Sequence, residues 1–484
     1  MYRRHGPIQS SEGFQATGRS GFGRSSTVGT VTQTDSALGI MSPSDMKQAQ
    51  GTEQETVTGQ RAMRKLRWRI LPFILLLFVI ALIDRNNISL AALTMNEELA
   101  ITGQQFGLVF GIFFLGYFVF EIPSNLLLHR IGARIWIARI LLSWGIVATA
   151  TGFVQTVHQL YALRFLLGLA EAGYFPGMVL YLTYWFPRRE QARALALLLI
   201  ATPITNILGA PASGFILDHT HWLGLSSWRW LLILEGVPAI ILGALTYMLL
   251  PSRPQEARFL NTEEKQWLQE ELGREELQKL EQRQFSSVEA LTSSRVWYLV
   301  LVYFGLMSGL WSLSSWGPQL VKSLSSQYSN SLVGLLLAIP NLVALAAMVT
   351  VSRSSDRRLE RRYHVAIPAL ASAGALALLG TSPSAFMSMT LLCFLAAGVL
   401  SCLGPFWALP SEFLTGYSAA AGIALINSIG NLAGFVSPVV IGFATERTGS
   451  LSASLALAAI PVFIASTLVL FLPKGVGRLV AAES

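Results

Sequence analysis

The chain has 484 residues, of which 52% are hydrophobic and only 13% are charged. Soluble domains carry about a quarter of their residues as charged side chains, so this composition excludes an ordinary water-soluble protein. The formal charge is +8. Because the basic residues lie at the ends of apolar segments, lipid headgroups are a better partner for them than nucleic acid.

A polar segment opens the chain. Residues 1–60 are rich in Ser, Gly, Thr and Gln and have no apolar periodicity, which predicts a disordered tail. Its first part carries four arginines against one acid, so a cleaved organelle-targeting segment is an alternative. Another alternative is that this part lies upstream of a true start at Met63.

Apolar stretches of about 17–25 residues, each long enough to cross a hydrocarbon core of ~30 Å as a helix, follow from Ile70 onward. The fold class is therefore predicted to be an all-α membrane protein with twelve transmembrane helices. These spans are predicted at residues 70–93, 104–128, 133–154, 160–185, 193–217, 229–250, 295–322, 331–352, 364–381, 385–410, 418–444 and 451–473.

A charged segment divides the spans into two sets of six. Residues 251–294 carry acidic and basic side chains at helical spacing, which predicts an amphipathic linker on the cytoplasmic surface. It separates an N-terminal half, 61–250, from a C-terminal half, 295–473, which a short tail, 474–484, follows. A polar or acidic residue followed by arginine recurs after the second span of each half, and repeated halves with a site between them are typical of transporters.

Arginine and lysine concentrate in alternate loops. They precede span 1 and follow spans 2, 4 and 8, whereas the other loops hold little beyond Arg229, Lys322 and Arg447. The positive-inside rule places the basic loops and both termini in the cytoplasm. A multi-pass protein of the plasma membrane is predicted, or of an organelle membrane if the tail is a targeting segment.

Several short motifs resemble known transporters. The major facilitator superfamily has Gly-x-x-x-Asp-Arg-x-Gly-Arg between spans 2 and 3; here Asn125 and His129 replace the Gly and the Asp, while the second half keeps Ser-Asp-Arg at 355–357. Within that superfamily, IDRNNI at 83–88, RFLLGLAEAGYFPG at 164–177 and WFP at 185–187 resemble the anion:cation symporter family. Segments 360–364, 404–410 and 427–438 resemble its tartrate and hydroxyphenylacetate permease branch. The resemblance implies carboxylate import by alternating access, driven by a proton or sodium gradient.

Ionisable groups inside a membrane span are costly and rarely kept without a use, and four of them matter most here: Asp84, Arg85, Arg164 and Glu171. Arg164 and Glu171 are seven residues apart and so share one face of span 4. Arg85 and Arg164 suit carboxylate binding because a guanidinium stays charged and can donate two parallel hydrogen bonds. The alternative is that each arginine only neutralises a neighbouring acid.

The two acids are the predicted proton-coupling residues. Burial favours the neutral form of a carboxyl and a nearby arginine favours its charged form, so Asp84 and Glu171 can load and release a proton. A permanent salt bridge clamping spans 1 and 4 is the alternative. Glu121 in span 2 could also bind a proton, but its position near a charged loop fits a gate or packing pair better.

Five further residues are predicted to contact substrate. Asn427 and Asn431 are one helical turn apart. They could form hydrogen bonds to substrate oxygens, or could instead hold neighbouring helices together. Trp407, Tyr117 and Tyr174 could line a cavity, or could act as packing and interfacial anchors.

Four loop residues are predicted gating residues: Arg130, Arg134, Asp356 and Arg357. We expect them to tie the halves together on the cytoplasmic side in the outward-open conformation. Charge that only sets the topology is the alternative.

No Walker A loop or metal-ligand spacing is found, so no enzyme activity, cofactor or metal site is predicted. Cys393 and Cys402 match no metal or redox motif, and we interpret them as packing residues. The predicted function is a secondary transporter, acting as a monomer, that imports a tartrate-like hydroxy-dicarboxylate, an aromatic acid or a sugar acid with a proton. Sodium coupling and a non-transporting nutrient sensor are the alternatives. Two cavity arginines would suit a dianion, and aromatic faces an aromatic monoanion.

Overall fold

The computed structural model describes residues 57–281, 292–382, 384–411 and 416–472, and its regular secondary structure is entirely helical there. Residues 1–56 of the predicted tail, the linker segment 282–291 and the C-terminal residues 473–484 lie outside the described residues. Residues 57–60 were predicted to belong to the tail but are helical. Gly59 packs so closely on Trp267 of the linker that a Cβ would come within 2.5 Å of its ring.

The N-terminal half contains spans 1 to 6, which begin and end within a few residues of the predicted positions. They are Leu71–Glu98, Gly103–Ile131, Ala133–Thr151, Val157–Glu171 with Tyr174–Thr183, Arg188–His219 and Ser227–Leu249.

The C-terminal half contains spans 7 to 12, which are Ser294–Ser323, Asn330–Arg358, Arg362–Leu379, Ala385–Ser411, Gly416–Asn431 with Ala433–Thr448, and Leu451–Leu455 with Ala459–Leu470. Among the described residues, eleven helices are long and apolar enough to cross a bilayer. Span 5 is the twelfth, with 32 residues. The predicted twelve-helix membrane fold is confirmed.

Span 4 is broken directly after Glu171, where a continuous helix was predicted. Gly173 has φ 81°, in the left-handed region, and a Cβ there would lie 2.3 Å from Ser124 Oγ. The break leaves the Ala172 carbonyl without its helical partner, and Ser124 Oγ donates to it at 2.6 Å. Trp136 Nε1 donates to the same hydroxyl at 2.9 Å, so the break is stabilised by neighbouring helices.

The arginine-rich ends of the spans lie together on one side, which we call the basic face. The linker helix, Thr262–Glu281, is fastened there to the N-terminal half. Lys65 Nζ lies 2.7 Å from Glu264, and the backbone N–H of Arg188 donates to Glu275 at 3.0 Å. These contacts hold the described part of the linker against the N-terminal half.

The two halves meet at the end opposite the basic face, which we call the opposite face. Glycines let the backbones touch: a Cβ on Gly107 of span 2 would lie 2.3 Å from the Pro438 carbonyl oxygen of span 11. A Cβ on Gly334 of span 8 would lie 2.2 Å from the Ala210 oxygen of span 5. We call this line of close backbone contacts, which includes Gly107 and Gly334, the glycine seam. The closure at this face depends on the absence of side chains along it.

The Asp218 carboxylate adds a polar contact to the same closure. It lies at the end of span 5 and accepts from the backbone N–H groups of Asn330, at 3.1 Å, and Ser331, at 2.7 Å. Because a carboxylate stabilises the N-terminus of a helix, Asp218 fastens the start of span 8 to the N-terminal half.

We predict that Gly334→Ala opens the seam at the opposite face. Its methyl group would overlap the Ala210 oxygen, and overpacking of this kind costs about 1–3 kcal/mol. The distance between spin labels at His221 and Gln327, two exposed positions on that face, should lengthen. Gly374→Ala is the matched control, because nothing lies within 4 Å of its added carbon. Equal distances in both variants would contradict the prediction.

Candidate functional site

A cavity of about 400 Å³ lies between the halves. This volume falls within the range of about 300–1,000 Å³ that small-molecule sites occupy. The cavity reaches Ser352 and Gly404, near the basic ends of spans 8 and 10, whereas the halves touch at the opposite face. The structure is therefore closed at the opposite face. Eight aromatic residues contribute to the wall: Phe78, Phe113, Phe114, Tyr117, Tyr174, Phe175, Tyr303 and Trp311.

Arg85 is the only charged side chain in the cavity wall among the residues that the structure describes. Its Nη2 pairs with Glu171 Oε1 across spans 1 and 4. The Arg85 side chain is 21% exposed and that of Glu171 only 1%. The guanidinium also lies over the rings of Phe113 and Tyr117, with its Cζ 5.5 and 5.6 Å from their centroids. Arg85 thus faces the cavity while it pairs with a buried acid.

Asp84 lies behind the wall and is 1% exposed. Its Oδ1 accepts from Asn87 Nδ2 at 3.0 Å, and its Oδ2 accepts from Trp144 Nε1 of span 3. Arg85, its neighbour in sequence, points elsewhere because adjacent helical residues differ by about 100° in direction. Asp84 is thus fixed by two neutral donors and is not exposed to the cavity.

Arg164 is also buried behind the wall, with 2% exposure. Its Nε donates to the Val109 carbonyl at 3.3 Å, and its Cζ lies 5.2 Å from the Phe113 ring centroid. It interacts electrostatically with Asp84 and Glu171. The Phe113 ring, which packs against both arginines, leaves only Arg85 in contact with the cavity.

These four residues form a cluster of two acids and two bases whose formal charges cancel. Burying such groups is tolerable only when each has a partner of opposite sign. One member, Glu171, has an oxygen, Oε2, that is buried and has no hydrogen-bond partner among the residues that the structure describes. The charge of Arg85 is therefore compensated directly by Glu171, the acid with which it pairs.

The C-terminal half contributes amides to the cavity wall. Asn427 and Asn431 of span 11 both line it, and Asn431 Nδ2 donates to the backbone and side-chain oxygens of Asn427 at 2.9 and 3.0 Å. Trp407 is not among the lining residues: it packs on Tyr303 with centroids 4.9 Å apart, and Tyr303 is the ring that lines the cavity. Trp407 therefore supports the wall from behind.

Tyr117 and Tyr174, which were predicted to contact substrate, line the cavity from the N-terminal half. The Tyr174 hydroxyl is buried and has no hydrogen-bond partner. Glu121 accepts a hydrogen bond from Ser428 of span 11 and so joins the two halves beside the cavity.

The predicted gating residues keep to their own halves in this conformation. Arg134 Nε donates to the Tyr247 carbonyl at 2.7 Å, and Asp356 pairs with Arg361 at 2.6 Å. Arg130 and Arg357 are exposed. A tie between the halves on the basic face remains a prediction for the alternate conformation.

Sequence reasoning missed part of the wall. Phe113, Phe114 and Trp311 line the cavity but were not among the predicted residues. The two phenylalanines precede Tyr117 at helical spacing on span 2, which was an available signal. Trp144, the donor to Asp84, carried no signal because its partner lies 60 positions away.

Comparison with known proteins gives a consistent result. Residues 74–438 match the sequence profile of the Major Facilitator Superfamily. A protein of Agrobacterium vitis named "Putative tartrate transporter" is 44% identical over 86% of this chain and 92% of its own length. The "Putative metabolite transport protein NicT" of Pseudomonas putida is 37% identical over 84% of this chain and 94% of its own.

Solved structures show the same fold at low identity. A bacterial homologue of the human lysosomal transporter Spinster, in an inward-facing and occupied conformation, aligns with a TM-score of 0.68 and 16% identity, covering 84% of this chain and 96% of that one. A D-xylose–proton symporter aligns with a TM-score of 0.66 and 16% identity, covering 85% and 99%.

We predict that Arg85→Ala strongly destabilises the protein, because it removes the salt-bridge partner of the buried Glu171. Breaking a buried pair from one side costs about 3–5 kcal/mol. The double variant with Glu171→Gln should recover much of the loss in thermal unfolding in detergent. Arg193→Ala is the control, since that side chain is 75% exposed in its pair with Glu190 and should contribute about 0–1 kcal/mol. Additive effects of the two cluster changes would show that the pair carries no coupling energy.

Proposed function

Since this chain belongs to the Major Facilitator Superfamily, we propose that it imports a small organic carboxylate together with a proton by alternating access. The observation that carries the proposal is the double position of Arg85, which lies in the cavity wall and pairs with Glu171. No covalent step is required, so the protein acts as a secondary transporter and not as an enzyme.

Competition for one guanidinium couples the substrate to the proton. An ionised Glu171 occupies Arg85, so a substrate carboxylate would have to displace it. When Glu171 binds a proton, Arg85 is released and can donate two parallel hydrogen bonds to the substrate. When the proton leaves, Glu171 pairs with Arg85 again and the substrate is expelled. Asp84 and Arg164 form the second acid and base of this cluster, and Asp84 is the other proposed proton carrier.

The conformation fits the step of an import cycle at which substrate is released into the cell. The positive-inside rule assigns the basic face to the cytoplasm. With the opposite face closed by the glycine seam and the cavity reaching toward the basic face, substrate would leave inward. The plasma membrane is the proposed location, and the monomer holds a complete cavity.

The wall supports two substrate classes. One guanidinium and eight aromatic rings suit an aromatic monocarboxylate such as hydroxyphenylacetate. The name of the Agrobacterium vitis relative supports tartrate, whose second carboxylate and hydroxyls would be bound by Asn427 and Asn431 across the cavity. A sugar acid would use the same amides.

We predict that Glu171→Gln abolishes proton-driven accumulation but preserves exchange of substrate across the membrane. Glutamine cannot bind or release a proton, yet it leaves Arg85 free for the substrate. Proteoliposomes with an inward proton gradient, challenged with tartrate, hydroxyphenylacetate and a sugar acid, measure both modes. Glu98→Gln is the control, because Glu98 pairs with Arg229 at the opposite face, 3.0 Å away and outside the cavity. Unchanged accumulation in Glu171→Gln would remove this residue from the coupling role.

The wall aromatics predict a selective loss of affinity. Trp311→Ala should raise the KM for hydroxyphenylacetate about fivefold, since an aromatic contact contributes about 0.5–1.5 kcal/mol, and should leave the KM for tartrate nearly unchanged. Trp407→Ala is the matched comparison, because Trp407 lies behind the wall. An equal loss for both substrates would indicate damage to the cavity as a whole.

A further inference from the structure

One buried carboxyl group takes no part in the mechanism above. Glu235 lies in span 6, and its Oε1 accepts from Ser213 Oγ of span 5 at 2.6 Å. Its other oxygen, Oε2, is buried and has no hydrogen-bond partner in the described part of the chain. Leaving a carboxyl oxygen unsatisfied at this depth is costly, so the group is a candidate for a function.

Glu235 faces another acid and not a base. Spans 1, 3 and 5 pack against span 6, and Asp84 of span 1 is the only charged group among the described residues that acts on Glu235 electrostatically. Asn87 connects the two acids: it donates to Asp84 at 3.0 Å and also interacts with Glu235. The arginines of the cluster are engaged by Asp84 and Glu171. Because two neighbouring carboxylates repel each other, we expect the pair to hold one proton.

A second cavity, of about 70 Å³, lies beside this pair on the side of the opposite face. Its wall includes Ser213 and Asn87, the hydrogen-bond partners of the two acids. Thr205, 1% exposed, also lines it, and its hydroxyl has no hydrogen-bond partner. The space would hold one or two water molecules, at about 30 Å³ each.

A chain of amides closes this second cavity across the two halves. Asn86 Nδ2 donates to Asn206 Oδ1 at 3.2 Å, and Asn206 Nδ2 donates to Asn341 Oδ1 of the C-terminal half at 3.2 Å. All three residues line the cavity. When the halves part at the opposite face, the bond between Asn206 and Asn341 breaks and solvent reaches the cavity from outside.

We propose that Glu235 is a further proton site of this transporter, the one that loads from the outer solution. A hydronium ion gives its proton to Oε2 of the ionised Glu235, forming an O–H bond. Once Asp84 has released the proton that the pair held, the new O–H bond breaks and its proton passes to the Asp84 carboxylate, which leaves Glu235 ionised again. Both acids belong to the N-terminal half, whereas the second cavity lies between the halves and shares Leu310 and Leu400 with the wall of the substrate cavity. The inference rests on the proposed proton symport.

Substrate uptake into proteoliposomes tests the proposal, with Glu235→Gln, Glu235→Asp and Ser213→Ala compared with the wild type. Glu235→Gln keeps a hydrogen-bond acceptor for Ser213 but cannot carry a proton. We expect it to lose gradient-driven uptake by about tenfold or more, within the usual range of coupling between sites, while exchange without a gradient stays within about twofold. Ser213→Ala removes the hydrogen bond and leaves the carboxyl, so it should lose clearly less gradient-driven uptake than Glu235→Gln. Glu235→Asp should retain gradient-driven uptake with an altered dependence on outer pH.

The outcomes distinguish the role of the Glu235 carboxyl from that of its hydrogen bond and from proton symport itself. Gradient-driven uptake by Glu235→Gln equal to the wild type would overturn the role of Glu235 and leave proton symport standing. Loss of uptake in Ser213→Ala as large as in Glu235→Gln would assign the effect to the hydrogen bond between the spans. If Glu235→Gln fails to fold, an unchanged outer-pH profile in Glu235→Asp would overturn the proposal. A wild type that shows no proton-driven uptake would overturn the proposed function, and this inference with it.

Discussion

Charges inside a hydrocarbon layer persist only when opposite charges or strong donors compensate them, and this constraint shapes the N-terminal half. Arg85 and Glu171 satisfy it for each other, and Asp84 does so through Trp144, Asn87 and the nearby Arg164. Arg85 also lies in the cavity wall. Glu171 therefore compensates its charge on one side, while its other side faces the cavity. The break in span 4 after Glu171 and the rings around Arg85 follow from the same need to hold these groups in place.

The two halves contribute differently to the site. The charged residues named in the mechanism all belong to spans 1, 4 and 6, whereas the described wall of the C-terminal half offers amides, aromatic rings and apolar side chains. In the proposed mechanism the N-terminal half binds the proton, and both halves contact the substrate. Movement of one half against the other changes what the substrate contacts without separating Arg85 from Glu171.

Much of the fold could be read from the sequence, because length and hydropathy determine a transmembrane helix almost locally. The twelve spans and the intramembrane charges belong to this class of feature. The break at Gly173 was not predicted, since it depends on Ser124 and Trp136 from other helices. The same holds for the site: Arg85 and Arg164 look equivalent in sequence, but the position of Phe113 leaves only Arg85 at the cavity. Glu235 carried the same signal as Asp84 and Glu171, a carboxyl inside a predicted span, but its partners, Ser213 and Asp84, lie on other spans and were not predicted.

The glycine seam at the opposite face also bears on the temperature dependence of transport. Backbone pressed against backbone has no side-chain rotamers to immobilise, so closing it costs little conformational entropy. Phe106 and Trp316 pack across the same seam and are buried, so closing it also removes apolar surface from water and should carry a change in heat capacity. The ratio of the two conformations would then change with temperature, and the temperature coefficient of uptake would report on the closing of this seam as well as on binding at the charged cluster.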